Sequence, residues 1–345
     1  MSRLFYTRNA LHSMSKLLNY ICIFIITGCL LFACHSPESL KVKPPPLKVS
    51  CVPFVGYTPL IIAQEKGFFK AQGIDVELSY VNVNYSQLQD ADFSAGKYDG
   101  IGLTLGDLVI LSATNPDMQA VMVLDESTGA DAVVAQSDIK TISNLKGKKL
   151  GTNLGSFSEV FVTEMLKTSQ LTSDDVSLVK VEALEVPNRL QNNAIQAGHT
   201  WEPHLSEALQ LGAHILFTSK QTPGLILDLF AFRGEVIRAR PEDIRAFVRG
   251  WLQGLSYLEA HIPEGKEIVS KTFKIPIKTI SFEGIDFSDL TKNQKFFQSD
   301  SPNYISQTAK KYADFFIRTG NVTRLPNLET LFNSSFLAPP PSRKS

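Results

Sequence analysis

Short apolar runs alternate with amphipathic stretches from about residue 47 onward, the pattern of strands and helices following one another in an α/β fold. Residues 49–55 read as a first strand. Thr58 followed by Pro59 offers an N-cap and a first-turn proline for a helix running through LIIAQEKGFF. Gly73 turns the chain into a second strand, IDVELSY. A helix over about 85–95 leads to the strand YDGIGLT, then to a helix near 105–112, the strand AVMVLD and a further apolar strand, ADAVVAQ.

A second set of elements begins near residue 142. LKGKKLGTNL enters a strand, and SFSEVFVTEMLK is a helix with Ser156 and Glu159 at capping-box spacing. VSLVKVE predicts a strand, PNRLQNNAIQ a helix, GHTW a short strand end, EPHLSEALQLG a helix and AHILFTS a strand. After Thr222-Pro223-Gly224 comes the long apolar run GLILDLFAFR, and from PEDIRAFVRGWLQ to about residue 319 the pattern is nearly all helical. This order predicts two lobes joined by two crossing strands, the second lobe inserted into the first. No internal repeat is found, and the tail 338–345 reads as disordered.

The N-terminus carries a different pattern. Arg3, Arg8 and Lys16 precede the apolar run LLNYICIFIITGCLLFAC, after which the chain turns polar at HSPES. A basic region, a short apolar core and small residues before a break describe an export signal. The run is marginal for a transmembrane helix and Asn19 interrupts it. A small residue followed by cysteine, at Gly28-Cys29 and again at Ala33-Cys34, resembles a bacterial lipobox. Cys34 leaves a polar mature start and is the expected lipidation site, with Cys29 the alternative; an uncleaved membrane anchor is the plainer reading. Residues 1–34 are thus read as signal and lipobox, and 35–46, with Pro44-Pro45-Pro46, as a stiff linker.

Composition narrows the picture. The 345 residues suffice for two domains, and 43% hydrophobic with 20% charged residues are globular values. Lys plus Arg and Asp plus Glu both number 34, a balance that gives nucleic-acid binding no support. Of the four cysteines, Cys22, Cys29, Cys34 and Cys51, three lie in the first apolar segment, so neither a disulfide framework nor a cysteine metal site is expected.

At GYTPLIIAQEKGFFKAQGIDVEL the chain resembles the solute-binding family of ABC transporters that includes nitrate-, sulfonate- and taurine-binding proteins, with relatives that carry or make the thiamine pyrimidine. The resemblance continues through YDGIGLTLGDLVIL, VLDESTGADAVVA, LKGKKLGTNLGS, TWEPHLSEAL and TPGLILDLFAFR, over residues 47–335. It implies a two-lobed periplasmic-binding-protein-like fold (type II) that closes on a solute like a hinge. It puts crossover strands at 130–136 and 224–231, lobe 1 at 47–133 and 226–337, and lobe 2 at 134–225. The partners implied are a small-molecule solute and the permease and ATPase of an importer, with the membrane reached through a lipid anchor. The pyrimidine-making branch carries a cysteine-rich iron-binding motif that the single non-anchor cysteine of this chain cannot supply.

In open α/β sheets ligands bind beyond the carboxyl ends of strands, near helix N-termini. Four such places are candidates. At Gly56-Tyr57-Thr58 glycine admits a ligand and Tyr57 can stack on it, unless Thr58 only caps its helix. At Thr104-Leu105-Gly106-Asp107, Asp107 either meets a ligand amino group or complements a helix dipole. Ser156 and Phe157 open a helix whose N–H groups suit an anion, although Glu159 already supplies negative charge there. At Trp201-Glu202-Pro203-His204, Trp201 can wall the cleft or be ordinary core, and Glu202 can take an amine or decorate the helix start.

Asp228, inside Leu225-Ile226-Leu227 and Leu229-Phe230, must be paired if buried, to a ligand or to a partner such as Arg233; Asp125 and Glu126 pose the same question. The candidate cleft is acidic and aromatic, none of the named loops supplies an Arg or Lys, and Arg189 is the nearest basic candidate. That leans toward a solute with a cationic or amino part, zwitterionic like taurine or an aminopyrimidine. No G-x-S-x-G, H-E-x-x-H or P-loop is present, and His199 and His204 are poorly spaced for a metal, so no catalytic residue, metal or cofactor is expected. A receptor domain that senses a solute and signals to a membrane protein is the alternative use of such a fold.

Overall fold

In the computed structural model the described residues are 44–81, 85–301, 304–324 and 327–338, without the side chains of 85–88. The export signal, both lipobox cysteines, residues 35–43 of the linker and all but the first residue of the tail lie outside them. Among the described residues no helix is long and apolar enough to cross a membrane.

Two sheets carry the fold. The first contains β1 (Leu47–Cys51), β2 (Val76–Tyr80), β3 (Gly100–Thr104), β4 (Gln119–Ser127), β10 (Leu227–Phe232) and β11 (Ile285–Phe287), in the order β11-β4-β10-β3-β1-β2. The second contains β5 (Asp131–Ala135), β6 (Lys149–Thr152), β7 (Ser177–Lys180), β8 (Ala197–Trp201) and β9 (His214–Thr218), in the order β7-β6-β8-β5-β9. β1 runs parallel to β2 and β3, and β6 parallel to β7 and β8, as successive strand–helix units require. Strands that arrive from the other lobe run the opposite way: β5 is antiparallel to β8 and β9, and β10 to β3 and β4.

The chain therefore leaves the first sheet after Ser127 and regains it at Leu227. The predicted insertion of one lobe into the other is present, with a shift in detail. All of β5 belongs to the second sheet and all of β10 to the first, so the crossings are the short connections 128–130 and 219–226 rather than strands. The Ser219 hydroxyl ties the two crossings together, lying 2.8 Å from the Ser127 hydroxyl and accepting from the Gly129 N–H at 2.8 Å.

The return strand sits in the centre of the first sheet and is buried at every position. Its Phe230 meets Phe247 edge-on at 4.8 Å between ring centres, and Phe247 stacks on Phe69 at 5.3 Å. Phe247 belongs to the long helix Pro241–Ala260, whose apolar face covers the sheet. The remainder of the C-terminal part is less uniformly helical than its pattern predicts. Ile285–Phe287 forms the edge strand β11, three residues being too few for alternation to register in the sequence. Asn293 fixes that region: its side chain accepts from Val123 N–H at 2.7 Å and donates to the Val123 carbonyl at 2.8 Å, substituting for a strand neighbour.

Several helix ends also differ from expectation. Thr58 is the first residue of the helix Thr58–Glu65, not its cap, because its hydroxyl turns back to donate to the Val55 carbonyl at 2.5 Å. The helix predicted over 187–196 stops at Gln191, where Asn193 adopts a left-handed φ of 56°. Glu159 reaches back to the Gly155 N–H at 2.7 Å, one residue before the expected capping-box partner.

Gly102 of β3 shows how tightly the first sheet is packed beneath its C-terminal edge. A Cβ there would lie 2.7 Å from the Tyr57 ring, which therefore lies directly on the strand. Gly102→Ala is expected to cost about 1–3 kcal/mol through forced displacement of that ring. Urea unfolding measures it; an unchanged midpoint would mean that Tyr57 is not held as described.

Candidate functional site

The carboxyl ends of β1 and β3, the start of β10, and from the second sheet the end of β8 and the start of β5 converge on one cleft. The first lobe lines it with Phe54, Tyr57, Asp90, Thr104, Asp107 and Asp228, and the second with Asp131, Phe157 and Trp201. The cavity between these walls holds about 40 Å³, room for a few water-sized groups, and is partly open to solvent.

Carboxylates dominate the polar lining. Asp228 is directly opposite Thr104 on one side and Asp125 on the other, so all three side chains leave the same face of the sheet in one row. Asp125 is fully buried, and neither of its carboxylate oxygens has a hydrogen-bond partner among the described residues. Asp228 is 6% exposed and receives one long hydrogen bond, from the Tyr57 hydroxyl at 3.4 Å. Loss of water is the main cause that pushes both carboxyls up from the usual aspartate range, Asp125 to about 8; Asp131, Asp286 and Glu126 add to it at Asp125, and Asp125, Asp131 and Asp107 at Asp228. Burial likewise pushes Asp90 up to about 8, with Asp107 as its neighbouring charge. Asp107 rises less, to about 6, because hydrogen bonds from the Thr104 hydroxyl (2.9 Å) and the Phe157 backbone N–H oppose its burial.

That last bond crosses the cleft. Asp107 stands in the first turn of the helix Leu105–Ser112 in lobe 1, and Phe157 opens the helix Phe157–Lys167 in lobe 2. Gly106 makes the approach possible: a Cβ there would be 2.7 Å from the Phe157 Cβ and 2.8 Å from the Tyr312 ring. Behind Phe157 runs a buried chain of polar groups. His199 Nε2 lies 3.1 Å from Asp131, its Nδ1 lies 2.5 Å from the Ser158 hydroxyl, and that hydroxyl lies 2.7 Å from the Thr152 hydroxyl. Serine, histidine and aspartate in series invite comparison with nucleophilic catalysis. Here Ser158 is 1% exposed, its oxygen also receives the Asn153 N–H, and it does not line the cleft. The chain instead braces Asp131 from behind.

Comparison with known proteins places this architecture. The family described as NMT1/THI5 like matches residues 55–264, well over half the sequence. The chain belongs to that family. A relative from Bacillus subtilis (strain 168), provisionally named an aliphatic sulfonates-binding protein, is 23% identical over 291 residues, 81% of this chain and 84% of that protein. A 4-amino-5-hydroxymethyl-2-methylpyrimidine phosphate synthase from Aspergillus parasiticus is 29% identical over 144 residues, 41% of each chain. Among solved structures, the alkanesulfonate-binding protein SsuA from Xanthomonas axonopodis pv. citri, bound to MOPS, is 14% identical, with a TM-score of 0.70 over 85% of this chain and 99% of that one. The fold is thus the two-lobed one of periplasmic binding proteins.

Within this NMT1/THI5-like chain, six residues singled out from the sequence share the cleft wall: Tyr57, Thr104, Asp107, Phe157, Trp201 and Asp228. Five others have side chains or positions already occupied. Gly56 backs onto Phe54 and Asp125; Gly106 is the interlobe contact; the Thr58 hydroxyl is held by Val55. Ser156 caps its helix, accepting from the Ser158 N–H at 3.1 Å and donating to the Asn153 carbonyl at 2.8 Å. Glu202 does similar work, accepting from the Ser206 N–H and hydroxyl at 3.1 and 2.9 Å.

Arg233 does not pair with Asp228; it bonds Glu235 at 2.8 Å and the Phe93 carbonyl at 2.8 Å. Arg189 pairs with Glu185, both side chains exposed at the surface of the second lobe. Glu126 accepts from the Gly224 N–H at 2.6 Å and fastens the returning crossing. Sequence reasoning missed Asp131, Asp90, Gln89 and Phe54. An aspartate opening an otherwise apolar strand, in ADAVVA, was the available signal for Asp131.

The raised carboxyls fix the sign of a pH effect. In the folded chain Asp107 and Asp90 keep protons that the unfolded chain gives up near pH 4. Stability is therefore greatest at low pH in this respect and falls as pH rises through about 6 and about 8. The melting temperature of the solute-free chain should drop between pH 5 and pH 8, and Asp107→Asn and Asp90→Asn should each flatten that drop. Parallel curves for wild type and both variants would contradict the assignment.

Proposed function

We propose that this chain is the exported, lipid-anchored solute-binding component of an ABC importer, taking a small polar organic solute into the cleft by hinge closure. The observation that carries this reading is that one cleft has walls from both lobes. A solute held by Tyr57, Thr104 and Asp228 on one side completes its contacts with Asp131, Phe157 and Trp201 only when the lobes meet. Binding energy then favours the closed form, which a partner in the membrane can distinguish from the open one.

The family supports a solute resembling a sulfonate or taurine, or an aminopyrimidine, and the aromatic faces of Trp201 and Phe157, 5.8 Å apart, suit a flat or compact organic molecule. Binding, not turnover, is the reading supported by a buried Ser158 and by relatives named as binding proteins over most of their length. The anchor is proposed at Cys34, with Cys29 as the competing site.

Two tryptophans make closure observable. Trp201 stands on the cleft wall while Trp251 is fully buried in the first lobe. Titrating the full chain in detergent with the solute classes above should shift Trp201 emission saturably, and Trp201→Phe should remove the shift while melting at a similar temperature. A saturable shift that persists in Trp201→Phe places the site elsewhere, and no response to any solute removes the proposal. For the anchor, Cys34→Ala should release the chain from the membrane fraction whereas Cys29→Ala should not; the reverse result assigns Cys29.

A further inference from the structure

Resting on the solute-binding reading, we propose that the solute is recognised by a positive charge, an ammonium or amidinium group seated against Asp228, which has Asp125 beside it on the neighbouring strand. The row Thr104–Asp228–Asp125 places the two carboxyls on neighbouring strands, pointing to the same face of the sheet. Were both ionised they would repel each other, and no basic side chain lines the cleft among the described residues. Asp125 has two oxygens fully out of water with no donor to either among the described residues. A native fold rarely leaves such an atom unanswered unless something else answers it.

The groups acting on this pair from every packed element are acidic or neutral. Asp125 faces Asp131, Asp286 and Glu126; Asp228 faces Asp125, Asp131, Asp107 and the Tyr57 hydroxyl. Cys51, at the end of β1, is buried beside Asp228 as an uncharged thiol, pushed up by burial and by that carboxyl. Among the described residues lining the cleft there is no lysine, arginine or histidine. Arg233, just past the far end of the same strand as Asp228, is spent on Glu235 and Phe93.

An anionic group in this position would meet carboxyls without a counterion. A cation would gain a charge-assisted bond at Asp228 and the field of Asp125 in a place that excludes water. The opposite wall agrees, because Trp201 and Phe157 present aromatic rings, whose faces attract organic cations. Among the described residues no group of three or more metal-ligating side chains converges, which favours an organic cation over a bare metal ion.

The test uses matched probes on the full chain in detergent: benzamidine, benzamide and benzenesulfonate, with propylamine and propanesulfonate as a smaller pair. Stabilisation and Trp201 emission are the readouts. The expected result is that benzamidine or propylamine binds at least tenfold more tightly than its neutral or anionic counterpart, and that Asp228→Asn and Asp125→Asn each cut that preference at least tenfold. If either variant fails to fold, the wild-type ranking alone decides. Preference for the sulfonates leaves the solute-binding reading intact and overturns the charge assignment. A chain that responds to no probe in either readout counts against both.

Discussion

Two aspartates side by side on neighbouring strands, out of water and without a base between them, constrain everything else at the centre of this molecule. Asp125 and Asp228 cannot both carry charge in that setting at modest cost, since desolvation and mutual repulsion act in the same direction. Either protons stay on the pair, or a positive group arrives from the cleft. The surroundings leave that choice open: Tyr57 supplies one long hydrogen bond to Asp228, and none of the described residues supplies one to Asp125.

The fold delivers the pair by routing the chain out of the first sheet and back into its middle. β10 re-enters between β3 and β4, so its first polar residue lands between Thr104 and Asp125. Burial of the whole strand against Phe247 and its helix fixes that register, since a slip by one residue would send Asp228 to the opposite face. The second lobe is braced independently. His199 links Asp131 to Ser158 and thereby to the helix whose first N–H meets Asp107 across the cleft. Movement of one lobe against the other therefore changes the environment of Asp107 and Asp131 together, through the short crossings at 128–130 and 219–226.

Much of the architecture was legible because it is local. Alternation and capping residues announced nearly every strand and helix, and the apolar run around Asp228 marked a buried carboxylate in need of an explanation. What the sequence hid depends on contacts across long separations. Asp131 earns its place only through His199, 68 residues away, and the role of Asp125 appears only once β10 lies beside β4. Local competition misled as well: Thr58, Ser156 and Glu202 have the chemistry of ligand contacts, yet each has a backbone or hydroxyl partner within four residues. β11 escaped because three residues between helices carry no readable period.

A cleft walled with carboxyls and aromatic rings is suited to a cationic group. Counting protons is the most direct test of that proposal. Calorimetry of cation binding at neutral pH, repeated in two buffers of different ionisation enthalpy, reads the protons displaced from Asp125, Asp228 and the acidic groups around them. About one proton released per cation bound is the outcome this account predicts. Binding with no proton released, or with uptake, would contradict it.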